Sequence, residues 1–259
     1  MRWSDLTTEM SQKYFSEIGR KIRGRELDLG REGYALMLSH GVRVAIHSGL
    51  GRISVVELGV ADGTGLLSLC KAAAFFRQDL EIDIRVYGFD TGAGLSELSG
   101  DYRDHPELFH RGAFRMPDLN ELRAKLPDFA ELIIGDVGET IPAFEATLRD
   151  RPLAFASFDL DLYSSTKRAL PLLKFDAACY PPLVPLYFDD MGNALIYCEW
   201  AGEQLAIDEF NTEPIQRRIG RTQYEWFQLR NFFVCHVFDH PFRQGRGERP
   251  RMSFNFSPI

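Results

Sequence analysis

Apolar and polar positions change period along this chain. Through residues 1–50, charged residues fall between apolar ones at helical spacing, and REGYALMLSHGVRVAIHSG (31–49) reads as helix packed on or capping a core. From residue 52 the pattern becomes short runs rich in Val, Ile, Phe and Tyr, separated by helical stretches. The runs are RISVVEL (52–58), IDIRVYGFD (82–90), AELIIGD (130–136), LAFASFDLD (153–161) and LVPLYFDD (183–190), then YEWFQL (224–229) and NFFVCHVF (231–238). Helices fit at 64–77, 138–149, 165–174 and 202–212. Such alternation predicts an α/β fold with a parallel sheet covered by helices on both faces. The last two runs are nearly contiguous and predict a C-terminal antiparallel hairpin.

The period divides the chain into an N-terminal helical cap (1–50), an α/β domain (51–242) and a tail (243–259), whose RQGRGERPR stretch is basic. A length of 259 residues suffices for one large α/β domain. A net charge of −7 argues against a nucleic-acid-binding surface, which needs clustered Lys and Arg. Cys70, Cys179, Cys198 and Cys235 are far apart and form no CxxC pair, which fits reduced thiols in a cytoplasm. The opening MRWSDLTTEMSQKYF lacks the apolar centre of a signal peptide, and no run reaches the roughly 18 apolar residues of a membrane span. The expectation is a soluble, cytoplasmic protein with no membrane or nucleic-acid partner. Its helical cap is a candidate contact for a homo-oligomer.

Candidate chemistry sits where the strand runs end. Glu57, Asp90, Asp136, Asp159 with Asp161, and Asp189 with Asp190 all fall there, and ligands of open α/β sheets bind beyond the carboxyl ends of the strands. The first run leads into ELGVADGTG (57–65), where Gly59, Gly63 and Gly65 allow a sharp turn close to a ligand and the following helix presents its N–H groups. The spacing GxxxGxG is not the GxGxxG of a dinucleotide-binding turn. With Glu57 inside the motif, it suits S-adenosylmethionine (SAM), which carries an ammonium and a sulfonium and no phosphate. The candidate cofactor residues are Glu57, Gly59, Ala61, Gly63 and Thr64 in the turn, Asp90 and Thr91 for the ribose, Asp136 and Val137 for the adenine, and Asp159. Asp136 reads equally well as a helix cap. Three carboxylates, Asp159, Asp189 and Asp190, repel one another unless a cation sits among them, and oxygen donors of this kind suit Mg²⁺. Asp161 is the candidate general base. The loop SGDYRDHPELFHRGAF (99–114) could form a lid, although its His105 and His110 read as surface residues. Trp200 and Trp226 read as core packing.

SFDLDLYSSTKRAL (157–170), followed by YFDDMG (187–192), resembles the macrocin O-methyltransferase (TylF-type) family. The matching residues are Asp159, Asp161, Tyr163, Ser165 and Thr166, then Asp189 and Asp190. ELGVADGTG, GFDTGAGL (88–95), LIIGDVGETIPAF (132–144) and EQLAIDEFN (203–211) also resemble the family, so that the likeness spans residues 50–238. Members usually carry a Pro-Gly-Gly turn before strand five, where this chain has CYPPLVPLYFDD. The resemblance implies a Rossmann-like class I methyltransferase fold, with a mostly parallel seven-stranded sheet. It also implies SAM-dependent, metal-assisted methylation of a hydroxyl on a small molecule such as a sugar or glycosylated natural product. A SAM-binding protein without catalysis and an NAD-dependent oxidoreductase are the alternatives.

Overall fold

The computed structural model describes residues 1–98, 100–222 and 230–245. Helices α1 (Thr8–Arg23) and α2 (Glu32–His47) lead into β1 (Arg52–Leu58), α3 (Thr64–Leu80) and β2 (Asp83–Asp90). After the loop come α4 (Leu119–Lys125), β3 (Ala130–Ile134), α5 (Val137–Asp150), β4 (Leu153–Phe158) and α6 (Tyr163–Ala169). The chain continues through β5 (Leu183–Phe188), α7 (Gly202–Thr212), β6 (Arg217–Arg221) and β7 (Phe232–Val237). The seven strands lie in the order β3-β2-β1-β4-β5-β7-β6, parallel except where β7 pairs antiparallel with β5 and β6. The order reverses at β1, so the crevice between β1 and β4 is the topological switch point.

Strand alternation divides the core between the two faces. Ile53 and Val55 pack with α1, α2 and α3, whereas Val56 and Leu58 pack with α5, α6 and α7. Glu57 therefore faces the α2 side. Helix α2 is apolar nearly all round and buried from Tyr34 to His47 except at His40, so this stretch is built into the sheet's core. Gly41 makes that contact possible, since a methyl group there would overlap the carbonyl oxygen of Ala154 in β4.

The strand ends are in register. Ile133, Phe89, Leu58, Phe158 and Phe188 form one row across the sheet, so that Asp90, Gly59, Asp159 and Asp189 follow at one level. β4 stops at Phe158, so Asp159 and Asp161 lie in a turn and not in the strand that the run LAFASFDLD predicts. The helix predicted to reach 174 changes to a 3₁₀ turn at Leu170–Leu173, where Pro171 has no N–H to donate. The hairpin is present, but its first strand is β6, RRIGR, a charged edge strand that lacks the alternation of an amphipathic one. The run 224–229 lies outside the described residues.

The Gly41→Ala substitution tests the α2–β4 contact. Helix propensity alone favours alanine by about 1 kcal/mol. The clash is with backbone that cannot rotate away, and overpacking of this kind costs about 1–3 kcal/mol. Urea unfolding is expected to show a net loss of stability; a gain would mean that α2 does not press on β4.

Candidate functional site

The site begins with the turn between β1 and α3. Gly59, Ala61 and Gly63 all have positive φ (85°, 48° and 88°), which carries the chain off the strand and into the helix within five residues. Gly59 is required for a second reason: any side chain there would strike the carbonyl of Asp159. The turn is held from the side by Asp90, whose Oδ2 accepts hydrogen bonds from the N–H groups of Val60 (2.8 Å) and Ala61 (3.0 Å), while Oδ1 accepts from Gly92 (2.6 Å). Asp90 thus binds the backbone of the glycine turn itself. Thr64 donates its N–H and hydroxyl to Asp62, and Thr91 closes a local turn through Gly94 and Ala93.

Asp136 caps α5 by accepting from the Gly138 N–H (2.7 Å) and pairs with Arg168 (2.5 Å), with Val137 buried behind it as the first residue of the helix. The capping role that the sequence allowed is the one observed. The structure thus brings Asp90 and Asp136 to the same sheet edge as the turn, each with its carboxylate engaged by protein partners.

On the other side of Gly59 the acids crowd together. Burial, together with Asp189 and Asp190, pushes the Asp159 carboxyl up to about 7 against the opposing effect of Arg31. Asp161, whose backbone is left-handed (φ 58°), is pushed up to about 8 by burial and by Asp190, Asp159 and Asp189. Asp190 is pushed up to about 6 by burial and Asp189, partly offset by His105. A tight turn after β4, not extended strand, brings Asp159 and Asp161 together. The Tyr187 hydroxyl is held well above its ordinary pKa by burial and by the charge of Asp189 beside it. Among the described residues, no three His, Cys, Asp or Glu side chains close into a finished metal cage.

The structure adds four residues that the sequence reading did not select. Glu203, in the first turn of α7, is 3% exposed, and its Oε2 accepts from the Asp190 N–H at 3.2 Å while Oε1 has no partner. His105 is buried and not on the surface; its Nδ1 faces Glu107 at 3.1 Å and its Nε2 has no partner. Tyr34 donates to Glu57 Oε1 (2.8 Å) and accepts from the Ser157 hydroxyl (2.8 Å), leaving Glu57 Oε2 buried without a partner. Arg31, the N-cap residue of α2, pairs with Asp159 at 3.5 Å. A buried polar residue in a helical pattern was the available signal for Tyr34; for Arg31 and His105 there was none, because each reaches the site through tertiary packing.

The loop after β2 is pinned to α6 and α7. Arg103 donates to the Tyr163 hydroxyl (2.9 Å), Tyr163 to Glu209 (2.8 Å), and Asp104 accepts from the Ser164 N–H (2.7 Å). His110 is exposed as expected. Trp200 is 72% exposed, contrary to the core role predicted for it, because residues 193–201 run as turns outside the core. Trp226 lies outside the described residues.

No protein-family model matches the chain, and no curated protein matches it. Among solved structures, the fold is similar to that of the calicheamicin methyltransferase CalS11, with 19% identity, a TM-score of 0.57, and coverage of 90% of this chain and 95% of that one. It is also similar to that of the O-methyltransferase NovP, with 16% identity, a TM-score of 0.54, and coverage of 87% and 98%. The likeness is one of fold and extends over nearly the whole length of both neighbours. Among the described residues, no helix is long and apolar enough to cross a membrane.

The raised carboxyls make stability depend on pH. Their native pKa values exceed the unfolded value near 4, so the native state holds protons that the unfolded chain has released, and stability falls as pH rises towards the native pKa values. His40 and His47, pushed down to about 4 chiefly by burial, act in the opposite sense below about pH 6.5. The acids are therefore isolated between about pH 6.5 and 8.5. In EDTA the melting temperature is expected to fall across that window. Asp161→Asn is expected to raise it at pH 8.5 by on the order of 3 °C and to flatten the slope. An unchanged slope in the variant would show that Asp161 ionises normally.

Proposed function

We propose that this chain is a SAM-dependent O-methyltransferase of the macrocin (TylF-type) kind, acting on a hydroxyl of a small molecule such as a sugar or glycosylated natural product with the help of Mg²⁺ or another divalent cation. The observation that carries the reading is the gathering of Asp159, Asp161, Asp189 and Asp190 beside the glycine turn, where burial and mutual repulsion raise the carboxyls of Asp159, Asp161 and Asp190 above the usual carboxylate range. The likeness of fold to CalS11 and NovP supports it.

The donor set fits the groups proposed. Carboxylate oxygens suit a small hard cation, and carboxyls that repel one another gain most from its charge. Asp159, Asp189 and Asp190 would hold it. The turn from Glu57 to Thr64, with Asp90, would hold the cofactor, and Asp136 with Val137 would border its base. When bound, SAM would supply the methyl group and the cation would make the acceptor hydroxyl more acidic. Asp161 would then take the hydroxyl proton on its carboxylate, which the cation's charge would help to keep ionised. Arg103 and Tyr163 fix the loop beside α6, where it would help orient the acceptor and exclude water.

Calorimetric titration with S-adenosylhomocysteine, first in EDTA and then in excess Mg²⁺, tests the cofactor: micromolar binding is expected, and none in either condition would refute the reading. With an acceptor found by screening, Asp161→Asn is expected to lower kcat by about 10²–10⁴-fold while leaving S-adenosylhomocysteine affinity intact. A variant with wild-type kcat would remove Asp161 from the chemistry.

A further inference from the structure

A cleft of about 450 Å³ lies among the turns of residues 193–201, one face of α7 and the hairpin β6–β7. The turns contribute Tyr197 and Trp200, α7 contributes Gln204 and Asp208, and the hairpin contributes Arg221 and Phe233. Its polar groups hold one another in place. Gln204 donates its Nε2 to Asp208 (2.8 Å) and accepts from Arg221 (3.4 Å). The Arg221 guanidinium in turn lies over the rings of Tyr197 and Phe233, 5.6 and 5.2 Å from their centroids. Trp200 stands 72% exposed at the same cleft.

Both walls are tied to the acid cluster. Glu203, which accepts from the Asp190 N–H, directly precedes Gln204. On the other side the Tyr197 N–H donates to the Asn193 carbonyl (2.8 Å), and the Asn193 N–H to the Asp190 carbonyl (3.0 Å). The lining also selects a chemistry. Glu199 and Asp208 outnumber the cation Arg221, so nothing in the cleft draws phosphate or carboxylate. Planar amide, carboxylate and guanidinium groups offer donors and acceptors together, and the indole offers a flat apolar face. A neutral sugar ring has the matching makeup: hydroxyls at its rim and a face of C–H groups.

We propose that this cleft is a saccharide subsite, holding a sugar ring of the acceptor that is bound but not methylated. The ring stacks on Trp200 and hydrogen-bonds to Gln204, Asp208 and Arg221. Its place in the acceptor rests on the methyltransferase reading above; its binding does not.

Saturation-transfer NMR with methyl glycosides of neutral hexoses, in EDTA and without cofactor, reads the site alone. Millimolar binding is expected. Trp200→Ala is expected to weaken it by about 10-fold, the scale of one stacked ring. Gln204→Ala, which favours the helix, is expected to weaken it by about 2–10-fold. Thermal melts check that each variant is folded. Glycosides that do not bind, or that bind both variants as they bind wild type, would overturn the subsite and leave the methyltransferase reading standing. Wild-type protein that binds glycosides but not S-adenosylhomocysteine would keep the subsite and overturn that reading. With a disaccharide acceptor, Trp200→Ala is expected to raise KM by about 10-fold at unchanged kcat; an unchanged KM would separate the bound ring from the acceptor.

Discussion

Carboxyl groups crowded against one another at a sheet edge are the constraint on which this structure turns. Glu57, Asp159, Asp161, Asp190 and Glu203 are each raised above their ordinary pKa, in every case with burial as the largest cause. Such an arrangement is costly for a fold and persists where protons, a cation or a ligand can offset the repulsion. In the structure the offset comes from Arg31 against Asp159, the Tyr34 hydroxyl against Glu57, and the Asp190 N–H against Glu203. Two carboxylate oxygens, Oε2 of Glu57 and Oε1 of Glu203, stay buried without a hydrogen-bond partner.

The acids on the other half of the edge are held by backbone and by a cation. Asp90 is engaged by backbone N–H groups and Asp136 by a helix terminus and an arginine. The contrast assigns different work to similar residues. Acids on the β2–β3 side shape the backbone that a ligand would meet, whereas those on the β4–β5 side stand ready to respond to charge.

Much of this was legible in the sequence, for identifiable reasons. β1 and α7 matched their predicted spans, because each is a strongly patterned segment with a clear boundary. The acids at strand ends were visible because parallel strands in register place the next residue of each at one level. β6 was not visible: in RRIGR three arginines surround a single apolar residue, Ile219, which leaves no apolar signature. Nor were His105 and Arg31, whose significance depends on which distant helix they meet. The turn at Asp161 was misread as strand because aspartate tolerates positive φ without leaving a mark in the pattern.

The way α2 is built into the sheet bears on how this site comes into being. Its charge-bearing members span Arg31 to Glu203, and the sheet that aligns them interleaves early and late segments, β1 lying between β2 and β4 and β5 against β7. Contacts of such long sequence separation form slowly, since loop closure precedes any gain from them. During synthesis, Arg31 and Glu57 leave the ribosome long before Asp159, Asp190 and Glu203 exist to join them. The repelling carboxylates meet only once β4, β5 and α7 have docked beside β1, so their mutual cost cannot arise before those elements, which carry much of the second apolar cluster, are in place.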